Sequence, residues 1–264
     1  MKRWLESAAT AFQFLSRFPV KSGGDFSPEL LQRSTVYYPL VGLAIAAVVW
    51  AAAYLSAFLL PPFPAAVLIL MLWVWLTGGL HLDGWMDSAD ALLSYRSRER
   101  MLEIMKDSRV GAMGVIACVL LLLLKLSLIY TVMDEGLWST VLLLPLIWSR
   151  WFMVAALGGW PKARQGEGLA GHFETLRGRE VRLAALLATG MTVLLALLNW
   201  TGLWHPFMAA FPTLPVLAWL AGKWTAERIS RRLGGLTGDV YGALNELLEA
   251  LLLLAAVLLH RLLL

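Results

Sequence analysis

Two long stretches of the chain, Ser34–Leu82 and Leu183–Gly222, carry no charged side chain. Each is about twice the roughly 20 apolar residues that cross a bilayer core, so each predicts a pair of crossing helices. Pro61-Pro62-Phe63-Pro64 divides the first stretch, because proline removes backbone donors and paired prolines favour a turn over continued helix. The expected spans are about 36–60 and 64–80. Asn199-Trp200-Thr201-Gly202-Leu203-Trp204-His205-Pro206 divides the second into spans of about 183–203 and 206–224, with tryptophans at the level where aromatic belts form. Val110–Met133 and Leu137–Leu157, separated by Asp134-Glu135-Gly136, supply two more, and about 240–262 is the last. The pattern predicts an all-α, polytopic membrane bundle with seven transmembrane helices and a single domain over residues 1–264. Residues 4–18, within an amino-terminal segment 1–34, read as an amphipathic helix on the membrane surface.

Composition strengthens this picture. Apolar residues make up 59% of the chain and charged residues 15%, against roughly 45–50% and 25% in soluble domains, which excludes an ordinary soluble enzyme. A net charge of +4, from 22 basic and 18 acidic side chains, is small and scattered. It suits anionic lipid headgroups and gives no reason to expect nucleic acid as a partner. Cys118 is the only cysteine, so no disulfide or cysteine metal site forms within one chain. Gln13 and Arg17 interrupt the apolar run that a cleaved signal peptide would need.

The basic residues also orient the bundle. Segments 1–34, 81–109 and 159–182 hold five each and 223–239 holds four, whereas the turns at 61–63, 134–136 and 201–206 hold none. Short cytoplasmic loops carry the excess of Lys and Arg. The four basic segments therefore share the cytoplasmic side of a cytoplasmic (inner) membrane, with the amino terminus inside and the carboxyl terminus outside. Lys125 and Arg150 fall inside spans, where a partner such as Glu246 or Glu249 is expected.

The chemistry concentrates just after the second span, in Gly78-Gly79-Leu80-His81-Leu82-Asp83-Gly84-Trp85-Met86-Asp87-Ser88-Ala89-Asp90-Ala91-Leu92. On a helix turning about 100° per residue, Asp83, Asp87 and Asp90 fall at roughly 0°, 40° and −20°. Three carboxylates on one stripe repel one another, and a cation relieves them. Oxygen-only ligands with open geometry suit Mg²⁺, which favours carboxylates plus substrate phosphates. The plainer reading is a solvated acidic face, against which stand the flanking Leu, Trp and Met. His81 beside these acids is a ligand, a base or a structural hydrogen-bonding residue. Lys106-Asp107-Ser108-Arg109 opens the third span, where helix-start amides and basic side chains suit a phosphate. For Arg96, Arg98 and Arg100 a topological role is as natural as a functional one. A second acidic site, Gly234-Gly235-Leu236-Thr237-Gly238-Asp239-Val240-Tyr241-Gly242, leads into the last span, with Glu246 and Glu249 on its first turns. The orientation puts Asp239 on the same side as Asp83. Gly166–Phe173 is glycine-rich enough to bend around a ligand, a weak signal alone.

Four segments, Phe14-Leu15-Ser16-Arg17-Phe18-Pro19-Val20, Gly78–Leu92, Lys106-Asp107-Ser108-Arg109-Val110-Gly111 and Gly234–Gly242 with Glu246, resemble the cobalamin synthase family, the adenosylcobinamide-GDP ribazoletransferases. The resemblance spans nearly the whole chain in order. It implies a Mg²⁺-dependent membrane enzyme of cobalamin biosynthesis, in which α-ribazole or its 5′-phosphate displaces GMP from adenosylcobinamide-GDP. It further implies that Asp83, Asp87, Asp90 and Asp239 are the catalytic and metal-binding residues of a cytoplasmic segment, 81–109, and its partner. His81, Lys106, Asp107, Ser108, Arg109, Thr237 and Glu246 would then bind substrate. Other readings are a CDP-alcohol phosphotransferase or prenyltransferase, and a transporter. The first wants Asp-Gly-x-x-Ala-Arg, but Trp85-Met86-Asp87 follows Asp83-Gly84. The prenyltransferases want two similar motifs of widely spaced aspartates, which Gly234–Asp239 does not supply. A transporter keeps its charges near the midplane, whereas most acids here gather at one face. Oligomeric state is left open.

Overall fold

The structure is a computed structural model, and it describes residues 2–21, 27–137, 140–164, 173, 176, 178–198 and 206–263. Eleven α-helices are described: α1 (Lys2–Leu15), α2 (Pro28–Ser34), α3 (Tyr38–Ser56), α4 (Pro62–Thr77), α5 (Leu80–Leu92), α6 (Arg98–Ile104), α7 (Ala112–Asp134), α8 (Leu144–Gly159), α9 (Gly178–Leu198), α10 (Ala210–Leu233) and α11 (Gly238–Leu263). Among the described residues there is no β-strand, only an isolated bridge between Lys162 and Leu236.

The prolines act as the sequence suggests. Pro28, Pro62 and Pro145 stand in the first turns of α2, α4 and α8, where a missing amide costs nothing. α8 is apolar all round and forms the core: every residue from Leu144 to Leu157 except Trp151 is buried. α3, α11, α9 and α10 pack around it, and α7 closes against α4, α5 and α11. The outward faces of α7 and α9 remain strongly apolar, with Ile116, Leu120 and Leu123, and Leu186, Leu194 and Leu197, each more than half exposed. Such a belt belongs in lipid.

All seven expected spans are matched by helices, but not all qualify as crossings. Among the described residues five helices are long and apolar enough to cross a membrane, and a sixth qualifies when α4 and α5 count as one span bent by 90°. α4 alone has 16 residues. The segment expected at 206–224 begins as a 3₁₀ turn, so its helix is carried forward into Lys223, Glu227 and Arg228, and it has a proline, Pro215, inside. That polarity removes α10 from the set. The Asn199–His205 break and the Gly166–His172 segment lie outside the described residues.

The basic segments gather at one end. Arg17 donates its amide to Leu76 at 2.7 Å, Arg98 reaches the Leu233 carbonyl at the end of α10 at 2.7 Å, and Arg164 reaches the Leu102 carbonyl at 2.6 Å. At the other end Arg261 of α11 pairs with Glu135, just past α7. α1 starts two residues earlier than expected, and its Ser7, Thr10, Ala11 and Leu15 stripe is buried against the bundle, while Trp4 and Leu5 stay exposed.

Candidate active site

The site is made by a sharp turn. Gly78 and Gly79 both adopt left-handed backbone (φ 65° and 73°), a conformation that a side chain would strain. Their amides return to the carbonyls of Trp75 and Val74 and close off α4. A Cβ on Gly78 would also stand 2.6 Å from Arg17 Nε. The chain leaves this turn at 90°, so α5 lies across the end of the bundle. One face of α5, His81, Gly84, Ser88 and Ala91, is buried. The acid stripe Asp83, Asp87 and Asp90 stands beside it.

Glycine brings the second acidic segment to the first. A Cβ on Gly84 would sit 2.5 Å from the carbonyl oxygen of Asp239. Gly235 (φ 150°) lies against the Pro161–Ala163 backbone, and Leu236 donates its amide to the Pro161 carbonyl (2.9 Å) and accepts the Ala163 amide (3.0 Å). Thr237 is the capping residue of α11: its Oγ1 accepts the Val240 amide at 3.3 Å and approaches Asp239 Oδ2 at 3.4 Å.

Asp83 and Asp239 line a partly open cavity of about 220 Å³ with His81, Thr237 and Tyr241. Asp83 also borders an open groove of about 550 Å³, which runs past Gln13, Ser16 and Arg17. The two spaces meet at Asp83. Partial burial, together with the charges of Asp83, Asp239 and Asp90, raises the Asp87 carboxyl to about 6. Crowded carboxylates of this kind are the setting that a divalent cation relieves. Among the described residues, no three His, Cys, Asp or Glu groups converge closely enough to cage an ion by themselves. Asp90 is also a helix cap: its two oxygens accept the amides of Gly111 and Gly114, each at 2.8 Å, and so hold the start of α7 against α5. Its remaining lone pairs alone are open to a ligand.

Beneath the cavity lies a buried polar network. Lys125 Nζ donates to Glu246 Oε2 and Glu249 Oε2, each at 2.6 Å, and Arg150 pairs with Glu249. Asn245 Nδ2 bridges Glu249 Oε1 (3.1 Å) and His81 Nδ1 (3.0 Å). The expected pairing of the intramembrane bases is thus met, and Glu246 is committed to Lys125 in place of lining the cavity.

The basic loop is placed differently from the cavity. Arg109 lies over Asp107, Nη2 to Oδ2 at 2.6 Å, with its side chain 87% exposed. This guanidinium holds the Asp107 carboxyl down, to about 2. Ser108 is exposed. Arg164, whose Nε is buried without a partner, lines the cavity, and Arg17 lines the groove. Neither these two nor Asn245 stand out as site residues in the sequence, whereas Tyr241 falls within the second acidic segment. Arg17 lies in one of the four resembling segments and Arg164 in a basic one, but the bundle alone shows which cavity each borders.

A model of the cobalamin-5-phosphate synthase family matches residues 7–257. The chain belongs to that family. A relative from Desulfitobacterium hafniense (strain Y51), named adenosylcobinamide-GDP ribazoletransferase, is 43% identical over 93% of this chain and 94% of its own. Relatives of the same name from Brevibacillus brevis and Pseudomonas fluorescens are 35% and 41% identical, each over 94% of this chain and 96% and 97% of their own. No solved structure matches the chain. The family match takes in α5, the Lys106–Arg109 loop and the Thr237–Asp239 cap, the segments on which the resemblance rests.

Proposed function

We propose that this chain transfers the phosphocobinamide moiety of adenosylcobinamide-GDP to α-ribazole, or to α-ribazole 5′-phosphate, with release of GMP. The observation that carries the proposal is the meeting of the two acidic segments, Asp83–Asp90 and Thr237–Asp239, over a cavity that opens beside a groove. A ribose hydroxyl of the acceptor attacks the cobinamide-linked phosphorus, a new P–O bond forms, the hydroxyl proton passes to a carboxylate of the site and on to solvent, the P–O bond to the bridging oxygen breaks, and GMP leaves with that oxygen. The chain must orient nucleophile and leaving group in line and hold the diphosphate charge.

Asp83, Asp87, Asp90 and Asp239 are the oxygen donors that would hold Mg²⁺, and when bound the ion supplies charge neutralisation for the transferring phosphoryl group. Asp83 stands between cavity and groove, so its carboxylate meets the attacking hydroxyl and aligns it. Arg17 in the groove and Arg164 in the cavity present guanidinium groups to phosphate oxygens. Lys106 and Arg109, at the start of α7, engage the nucleotide phosphates, Arg109 exchanging Asp107 for substrate, with Ser108 beside them. Thr237 fixes Asp239, and His81 donates to the acceptor. Glu246 acts through its pair with Lys125. The concentration of Lys and Arg at this end favours its facing the cytoplasm, in a cytoplasmic (inner) membrane.

Purified protein in detergent, given adenosylcobinamide-GDP, α-ribazole and Mg²⁺, should release GMP in step with cobalamin formation and stop on chelation. GMP release that ignores the acceptor would mark a hydrolase and refute the assignment.

A further inference from the structure

Asn245 is neutral, wholly buried, and set in α11 between Leu244 and Glu246. A leucine would fill the same space at less cost, since the Asn245 side-chain oxygen, Oδ1, is buried with no partner. What the side chain does is donate. Its Nδ2 reaches Glu249 Oε1 at 3.1 Å and His81 Nδ1 at 3.0 Å.

These two contacts assign the His81 proton. Glu249 is held by Lys125 on Oε2 and by Arg150 and Asn245 on Oε1. Paired with two cations, it is a carboxylate and only accepts, so the Asn245 atom that faces it is the amide nitrogen. The same nitrogen directs its second hydrogen at His81 Nδ1, which therefore accepts. The ring proton lies on Nε2. That atom is buried with no protein partner, on a side chain 3% exposed that lines the cavity beside Asp83. The residue has little room to shift: a Cβ on Gly242 of α11 would stand 3.1 Å from the His81 Cα, so α5 and α11 meet backbone to backbone here.

We propose that Asn245 is a positioning residue for the transfer: anchored on Glu249, it locks His81 in the tautomer that presents Nε2–H to an acceptor atom of the bound substrate. The inference rests on the reading of His81 as a donor in a ribazoletransferase and adds what makes it one. Without the Asn245 amide, no described neighbour tells the two ring nitrogens apart. The other tautomer turns a lone pair toward the cavity, where Asp83 and Asp239 already supply acceptors. The intramembrane charges thereby gain a task beyond stability. Lys125 and Arg150 fix Glu249, Glu249 fixes Asn245, and Asn245 fixes the direction of a hydrogen bond at the site.

Two measurements test this. The first is ¹⁵N NMR of the parent protein in detergent, labelled in its histidine rings, with the His81 signals identified by their loss in His81→Gln. The parent should show Nε2 protonated and Nδ1 bare, and Asn245→Leu should show the two tautomers mixed or reversed. A protonated Nδ1 in the parent, or an unchanged tautomer in folded Asn245→Leu, overturns the proposal. The second is a double-mutant cycle on GMP release. Asn245→Leu should lower kcat/KM at least about tenfold, the loss of one oriented hydrogen bond to substrate. Made in His81→Gln, whose amide holds an N–H at the Nε2 position unaided, the same change should cost no more than about threefold. Equal losses in the two backgrounds would make Asn245 a packing residue and also overturn the proposal. Should a variant fail to fold or lose all turnover, the tautomer of the parent decides. Absence of GMP release with every acceptor, alongside a protonated Nε2 that Asn245→Leu sets free, would sink the assigned reaction and leave the hold of Asn245 on His81 standing.

Discussion

The four buried charges of the network permit a quantitative test. Lys125 Nζ is 2.6 Å from an oxygen of each of Glu246 and Glu249, with its side chain 4% exposed, and Arg150 pairs with Glu249. Two positive groups thus face two negative ones, and the cluster is neutral. Lys125→Met leaves Glu246 without its ion-pair partner and the cluster one charge negative; Glu246→Gln leaves it one charge positive. Breaking a buried pair from one side costs about 3–5 kcal/mol, more than a marginal membrane bundle tolerates easily. The double substitution Lys125→Met with Glu246→Gln keeps the pair of Arg150 and Glu249 and restores neutrality. Its cost should be no greater than that of either single change, a coupling of about 3 kcal/mol. Denaturant unfolding in detergent, followed by the fluorescence of the 13 tryptophans, measures all four proteins of the cycle. If the single costs simply add, within about 0.5 kcal/mol, the charges do not sense one another and the reasoning fails.

Asp87→Asn keeps shape and removes one of the crowded charges, so the protein should insert and fold while turnover falls at least about a hundredfold; turnover within about threefold of the parent at saturating Mg²⁺ would make the stripe a solvated face. Arg109→Ala should lower turnover or raise the nucleotide KM by about one to three orders of magnitude, and unchanged kinetics in folded protein would reduce that arginine to a topological signal. Asp90→Ala strips the caps from the Gly111 and Gly114 amides and should cost about 0.5–2 kcal/mol of stability, read as a lowered melting temperature in detergent, whereas Asp83→Ala should leave stability within about 0.5 kcal/mol.

The first uncharged stretch and its proline break locate α3 and α4 to within about four residues, because burial in lipid demands long apolar runs, whereas α9 begins five residues before its expected start and α10 ends nine after its expected end. The common end of the basic segments is legible for the same reason, and it brings Asp83 and Asp239 together. The bend at Gly78-Gly79 is not: two glycines after an apolar run signal an end, not a direction. The two roles of Asp90 are equally hidden, since the stripe looks uniform until α7 is packed on it. Asn245 escapes notice because it is one polar residue among leucines, and its meaning lies in His81, 164 residues away. α10 shows the opposite case, in which an apolar beginning conceals a polar second half.

α11 has 26 residues, a length of about 39 Å against a hydrocarbon core of about 30 Å. Its surplus lies at the ends, where Asp239 on one side and His260 and Arg261 on the other suit the headgroup level. The same helix carries Asp239 in its first turn, and Gly84 gives that turn no room to slide, with 2.5 Å between a notional Cβ and the Asp239 carbonyl. The two acidic segments are thus locked as one unit, which a change of acyl-chain length cannot part without opening that contact. In short-chain and long-chain phosphatidylcholine the aspartates should therefore keep their register, and lipid thickness should act on the tilt of the bundle as a whole.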